Sequence, residues 1–549
     1  MTQAPFNAPE FPTSEQVQGF WAWDKIHAPR PITPLAGDTI ARTLADGFTQ
    51  GQSEFASFLG MAFWHVNYYA YFAFYPLEDL GGESISERSA RYEEALEKLV
   101  PRVGQLWEQE WLPSLLPDVI RARDLDYASL SDADLAAEME HQIPQIVFRW
   151  AIHGKINFIL VAASRFSDFY KELVKPEDET EGYEALQGFV TRSLDAGRGL
   201  WRLSRIVRNN PGLTKAFNEL EPKALLVELE KTVDGRSFLG ELTAYLTEFG
   251  WRSDAVYDIA DIPWREDPSI PLSTLQGYIR LDEDANPDML FERSVKRREE
   301  LLAKARDAAA GDPVKAAKLE ELYEAARRNM QVTEDHAFWI DQLGVNTFRL
   351  PVLEAGRRMT QRDQFSQPDN VFYLLLDELK DALLNGGDRK TLTAQRRAEM
   401  ARFAEIVPPL TLGEPPPMSD DPFVDAVIVR MLGPVFEPPR EPDILRGLPA
   451  SPGVVRGVAK VVRSLSEASK LQEGDVMVCE MTVPPWTPLF STVSAVVADT
   501  GGILSHCAIV AREYKLPAVV GTVFGTRTIK DGMTITVDGS KGIVRIESR

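Results

Sequence analysis

The chain has 549 residues, 44% of them hydrophobic and 26% charged, and carries a net charge of −22. That length allows roughly two to four domains with separate cores, and the acidic balance argues against nucleic-acid or anionic-membrane partners, which need a basic footprint. Two cysteines, Cys479 and Cys507, show no spacing of a metal site or disulfide framework and suit a reducing cytosol. The N-terminal residues lack the basic start and apolar core of a signal peptide. The most apolar stretch, Met61 to Tyr75, is broken by His65 and Asn67 and is too short to span a bilayer, so a cytoplasmic protein is expected.

The first forty residues are rich in proline and aromatic residues, among them Trp21, Trp23 and His27. Prolines at this density enforce extended or turn backbone that offers rings to a core. The following cluster, Phe63 to Tyr75, is read as a helical stripe containing Trp64, His65, Tyr68 and Tyr69. Two readings stand: such a stripe is a core, or it is a flat apolar slot for an aromatic ligand, with Trp21, Trp23, Trp64, Tyr68 and Tyr69 as its wall.

Helices are predicted over Ser86 to Leu99, Asp132 to Val174 (with a kink or break at Pro144), Glu184 to Asn209 and Ala224 to Gly250. A long charged helix or helical hairpin follows over Leu290 to Gln331, broken near Gly311-Asp-Pro313. His336, two residues after Glu334, is either a general base oriented by that carboxylate or a core histidine joining two helices. Arg252 is either a donor to a transferring phosphoryl group or a surface ion-pair residue.

Composition shifts between Val407 and Pro452, where prolines make a stiff, extended connection, with Phe423 to Leu432 as a short ordered element within it. Short strands are predicted at Val454 to Val462, Asp475 to Cys479, Val493 to Ala498, Pro517 to Val520, Thr534 to Asp538 and Gly542 to Ile546, the last two joined by a Gly539-Ser-Lys-Gly542 turn. The expected organisation is a mainly helical substrate-binding region over 1–407, a Pro-rich linker over 408–446 and a small β/α domain over 447–549. The fold class is multidomain, α plus α/β.

Within the last domain, Thr500-Gly501-Gly502-Ile-Leu-Ser505-His506 runs from a strand into an apolar helical pattern and puts His506 in the first helical turn. There the helix dipole favours negative charge, the two glycines admit close backbone approach, and Thr500 and Ser505 offer hydroxyls. An imidazole so placed either caps a helix or acts as a nucleophile that accepts and passes on a phosphoryl group.

The order Gly447-Leu-Pro-Ala-Ser-Pro-Gly-Val, Gly474-Asp-Val, Pro485-Trp-Thr-Pro-Leu, Thr500-Gly-Gly-Ile-Leu-Ser-His, Leu516-Pro-Ala-Val-Val-Gly and Asp538-Gly-Ser-Lys-Gly resembles the swivelling phosphohistidine domain of phosphoenolpyruvate-utilising enzymes and dikinases. The resemblance implies that His506 is phosphorylated; Cys507 stands where many relatives carry alanine. The stretch Phe249 to Pro268 resembles a segment of dikinase-related antibiotic and phenol phosphotransferases, with Arg252 matching and Trp251 standing where a histidine is expected, and Glu334 to Leu379 more loosely resembles the helical substrate domain of rifampicin-type phosphotransferases.

No stretch of the chain resembles a nucleotide-grasp domain, a Gly-rich phosphate loop followed by lysine, or a phosphoenolpyruvate-binding barrel. By resemblance, the chain is the acceptor-plus-histidine subunit of a two-component aryl phosphotransferase of the phenylphosphate synthase or hydroxyacetophenone phosphotransferase type. Mg-ATP is then expected on a separate ATP-grasp subunit, with no cofactor or metal on this chain, a phenolic substrate, and AMP, phosphate and an aryl phosphate as products. His27, His65, His153 and His336 are the candidates for activating the acceptor hydroxyl. A rifampicin-like antibiotic phosphotransferase component and a non-catalytic phosphohistidine regulator are the alternatives.

Overall fold

A computed structural model describes residues 11–13, 16–25, 27–55, 57, 59–76, 82–156, 159–178, 180–253, 257–414, 443–482, 484–502 and 505–548. The chain divides into two compact units, one built from 1–158, 255–261 and 339–434 and the other from 159–254, 262–338 and 435–549. The element expected at Phe423 to Leu432, and most of the Pro-rich stretch, lie outside the described residues.

The first unit combines helices with a four-stranded antiparallel sheet of order β2-β3-β1-β4, formed by β1 (Trp21–Trp23), β2 (Leu59–Val66), β3 (Tyr69–Pro76) and β4 (Thr411–Leu412). This corrects the helical reading of the aromatic cluster, which is a β-hairpin with Val66 paired to Tyr69. Asn67 and Tyr68, at φ +48° and +70°, form its two-residue loop, the left-handed turn that matches the twist of paired strands. The strand signal was hidden because Tyr69 to Ala73 are buried on both faces, which removes the alternation that marks a half-buried strand. Pro34 opens the next helical run at its first position, where a missing N–H costs nothing.

The predicted Asp132 to Val174 helix appears as Asp132–Ile156 and Ile159–Val174. By length and composition this stretch could cross a membrane, but 79% of its apolar window is buried inside the protein, as in a core helix. Pro144 lies inside the helix Asp132–Ile156.

The second unit holds a layer of helices that includes Arg192–Arg208, Val233–Phe249, Pro287–Ala309 and Pro313–His336. Asp312, between the last two, accepts from the backbone N–H groups of Val314 and Lys315 and so starts the second arm of the predicted hairpin. The same unit contains an eight-stranded sheet of order β5-β12-β11-β7-β8-β9-β10-β6. Its strands are β5 (Ile444–Arg446), β6 (Leu448–Ser451), β7 (Val454–Val462), β8 (Val476–Cys479), β9 (Ala495–Ala498), β10 (Ala518–Val520), β11 (Thr534–Asp538) and β12 (Ile543–Ser548).

The four neighbours β7-β8-β9-β10 run parallel, and the outer pairs are antiparallel. Parallel strands are covered on both faces, which is why Val476–Cys479 and Ala495–Ala498 are unbroken apolar runs, every residue buried. The protein is therefore mainly helical with a C-terminal β/α domain, as expected.

Candidate functional site

The crevice beyond the carboxyl ends of parallel strands is where α/β folds place ligands. β9 ends at Ala498, and the chain then runs through Thr500-Gly501-Gly502 to the helix His506–Glu513. His506 is the first residue of that helix, and Ser505 caps it by accepting from the Ala508 N–H at 3.4 Å. Gly501 adopts φ +105°, and a Cβ there would lie 2.7 Å from the Ser505 hydroxyl. Glycine is needed at that turn. Asp499 anchors the strand end by accepting from the Thr522 hydroxyl at 3.0 Å and from the Thr526 hydroxyl and N–H.

Both ring nitrogens of His506 have partners within the second unit. Nδ1 lies 3.0 Å from Glu334 Oε1, and Nε2 lies 3.3 Å from the Thr487 hydroxyl. Glu334 also accepts from the Ser193 hydroxyl at 2.9 Å. The His506 and Glu334 side chains keep 11% and 9% of their surface exposed, so the ring is sheltered but not sealed. Burial pushes the Glu334 carboxyl up, but the charge of His506 and hydrogen bonds from His506 and Ser193 outweigh it and hold the group below its ordinary range. In the neutral form of the ring, the ionised carboxylate places the proton on Nδ1, which leaves the Nε2 lone pair facing the Thr487 hydroxyl.

Charge accumulates around this pair. Asp335, which accepts from the Arg192 N–H at 2.9 Å, is pushed up to about 6 by burial and by Glu334. Glu513, in the last turn of the His506 helix, is pushed up to about 8 by burial and by Glu334. Arg252 is 1% exposed, hydrogen-bonded to the Phe249 and Arg192 carbonyls at 3.3 and 3.2 Å, and lies 4.9 Å from the Phe338 ring centroid. Burial lowers its pKa to about 10, which leaves it charged near neutral pH. The surface ion-pair alternative for Arg252 gives way to a buried cation held by carbonyls and aromatic faces.

The other residues singled out from sequence fall elsewhere. Thr500 donates its hydroxyl to the Glu480 carbonyl at 3.0 Å, and Gly502 is exposed. His336 places Nδ1 2.7 Å from the Val332 carbonyl one helical turn back, while the Glu334 carboxylate faces His506. The expectation that Glu334 orients His336 is corrected accordingly: two positions apart on a helix, the two side chains point to different faces.

In the first unit, Trp21, Trp23, Tyr68 and Tyr69 are buried in one apolar cluster, with Trp64 packed against it. The Trp21 and Trp64 rings meet edge to face at 5.3 Å. The Tyr68 hydroxyl donates to Glu399 and the Tyr69 hydroxyl to the Phe403 and Ile406 carbonyls, so these polar handles are engaged inside the fold. His65 is 4% exposed, and burial lowers its pKa to about 4, which keeps it neutral. His27 stands 3.0 Å from Asp24.

Sequence reasoning missed Thr487 and Ser193. Thr487 lies within the Pro485-Trp-Thr-Pro motif and was within reach of that signal, whereas Ser193 is 141 residues from Glu334 and carries no local mark.

Comparison with known proteins gives two family matches: the fourth domain of rifampicin phosphotransferase over residues 155–334, and the mobile domain of PEP-utilising enzymes over 471–542. Among similar proteins, chondramide synthase cmdD of Chondromyces crocatus is 30% identical over 98% of this chain and 14% of its own length. The uncharacterized phosphotransferase YvkC of Bacillus subtilis is 28% identical over 98% of this chain and 63% of its own length. A rifampicin phosphotransferase of Bacillus cereus is 25% identical over 83% of this chain and 52% of its own length. The chain thus spans less than two thirds of each of these relatives.

Proposed function

Because the chain carries a mobile domain of PEP-utilising enzymes together with the fourth domain of rifampicin phosphotransferase, we propose that it is a phosphotransferase component in which His506 carries the phosphoryl group. One observation supports this most: the Nδ1 side of His506 rests on an ionised carboxylate, 3.0 Å away, at a helix N-terminus. Glu334 fixes the tautomer, so Nε2 holds the lone pair that attacks phosphorus. As the N–P bond forms and the donor's P–O bond breaks, the ring becomes cationic, and Glu334 stabilises that charge. The helix dipole and the nearby Arg252 charge favour the phosphoryl oxygens.

In this proposal a nucleotide-grasp partner subunit charges His506 from Mg-ATP, and the acceptor is a phenol. A phosphoramidate is a strong donor, so discharge requires mainly positioning and deprotonation of the acceptor. A phenol, with a pKa of ~10 like tyrosine, provides a nucleophile more readily than an alkyl alcohol does. The rifampicin phosphotransferase match supports a second acceptor class, the hydroxyl of a bulky antibiotic.

The test combines the chain with nucleotide-grasp proteins, ATP labelled at the transferred phosphoryl group, and panels of phenols and rifamycins. The expected result is acid-labile label on the wild type but not on His506→Ala, discharged to an aryl phosphate. Discharge only to rifamycins selects the second acceptor class. Absence of label on the wild type, or equal label on His506→Ala, refutes the carrier role.

A further inference from the structure

His506 takes its two ring partners from different parts of the second unit. Thr487, on Nε2, lies with His506 in the segment over 471–542, whereas Glu334, on Nδ1, and Ser193 behind it lie in the helices over 155–334. The carrier segment therefore owns the histidine but not the carboxylate that sets its protonation. His506 reaches that carboxylate only because the two segments pack together. Ser193 stands in the first turn of the helix Arg192–Arg208 and donates to Glu334 Oε2 at 2.9 Å, which leaves Oε1 for His506. The Arg192 N–H beside it holds Asp335 at 2.9 Å.

The packing has specific contacts away from the histidine. Ile509 and Arg512 follow His506 at intervals of three, so they share one side of its helix. The Gln187 amide donates to the Ile509 carbonyl at 3.2 Å, and the Gln187 carbonyl in turn accepts from Arg298 at 3.0 Å. The Arg512 guanidinium lies 5.6 Å from the Tyr183 ring centroid and donates to the Ala450 carbonyl at 2.8 Å. Further along, a Cβ added to Gly277, in the helix Ser269–Tyr278, would lie 3.5 Å from the Thr492 hydroxyl. A longer side chain at Gly277 would therefore meet the carrier segment.

We propose that these helices are a docking station that lends His506 its carboxylate, so that the histidine releases a phosphoryl group readily only while docked, with Ser193 as the positioning residue for Glu334. This rests on the carrier role proposed above. In the discharge step the acceptor oxygen bonds to phosphorus, and the N–P bond breaks with its electron pair returning to Nε2. The acceptor proton goes to solvent. Docked on Glu334, the phosphorylated ring keeps its Nδ1 proton and leaves as neutral imidazole. Away from Glu334 the ring more often lacks that proton and has to leave as an imidazolate, a far poorer leaving group. The bond to phosphorus is thereby guarded against water until the carrier docks.

The experiment enlarges Gly277 in the full chain, through Gly277→Ala, Gly277→Gln and Gly277→Trp, and leaves the partners of His506 unchanged. Ring-nitrogen NMR of labelled histidine reports whether Nδ1 holds the proton in the resting protein. Potassium phosphoramidate, which phosphorylates histidine without a partner enzyme, loads His506, and phosphorus NMR follows discharge to water. The larger side chains should weaken the Nδ1–H signature and slow discharge together, by about 5–30-fold at most. Gln187→Ala, which loosens the same packing from another side, should act in the same direction. Gly277→Trp combined with Glu334→Gln should be no slower than the slower single variant, because both remove one contact. Ser193→Ala should slow discharge by about 2–5-fold and have no effect in a Glu334→Gln background. A changed ring signature with wild-type discharge in any of these variants overturns the proposal, as does a double variant whose effects multiply. Ring signals that stay unchanged through Gly277→Trp overturn the docking itself. If wild-type His506 takes no label from ATP with any partner, the carrier reading fails, and the ring-nitrogen comparison still decides the docking.

Discussion

Replacing Glu334 with glutamine keeps the shape and an acceptor oxygen for His506 Nδ1 but removes the charge. The bond it alters is 3.0 Å long, and the carboxylate is 9% exposed, so solvent screens it little. Two unit charges ~4 Å apart at an effective dielectric of ~20 interact by ~4 kcal/mol, an upper limit. The difference between a charge-assisted and a neutral hydrogen bond, ~1–2 kcal/mol, is the better measure because glutamine still accepts. A phosphorylated imidazole leaves well only while its other nitrogen keeps the proton, and Glu334 favours that form. The expected result is discharge slowed by about 5–30-fold near neutral pH. Chemical loading with phosphoramidate followed by single-turnover transfer measures this directly. Identical rates in Glu334→Gln and wild type would refute electrostatic support of the carrier by this carboxylate.

Three further outcomes are expected. Gly501→Ala should destabilise the His506 loop by about 1–3 kcal/mol, since φ +105° and the 2.7 Å approach to the Ser505 hydroxyl both oppose a Cβ; urea unfolding measures it. Phe403→Ala, at a site with no exposed surface and with Phe11 6.1 Å away edge to face, should cost ~3–5 kcal/mol in the same assay. Glu513, pushed up to about 8 from an ordinary 4.5, binds a proton more tightly folded than unfolded, so its contribution to stability declines as pH rises through that window. Glu513→Gln should therefore match wild type below pH ~4.5 in this contribution and gain on it towards pH ~8, read by denaturation at several pH values.

Much of the β/α domain could be read from the chain because its signals are local. Val454 to Val462 was predicted with the bounds that β7 takes, and the glycine pair followed by an apolar helical pattern put His506 in a first turn. The helical hairpin was equally legible, since Asp312-Pro313 is both a stop and a cap. The Phe63 to Tyr75 error has a physical origin: a strand buried on both faces shows no alternation, and the turn residues Asn67 and Tyr68 are not a glycine pair. The partners of His506 were illegible for a different reason. Glu334 is 172 residues away in sequence, and Ser193 a further 141 from Glu334, so only tertiary folding brings them together. Glu334 was picked out, but beside the wrong histidine, because adjacency in sequence is not adjacency on a helix face.

The Thr487 hydroxyl gives the resting carrier a built-in latch. It sits 3.3 Å from Nε2, the nitrogen proposed to bond to phosphorus. A phosphoryl group there takes away the lone pair that Thr487 uses, so charged and discharged forms cannot share the same set of contacts. Delivery restores the hydroxyl's partner and returns the ring to its seat, so the empty state re-forms a hydrogen bond that the loaded state must forgo.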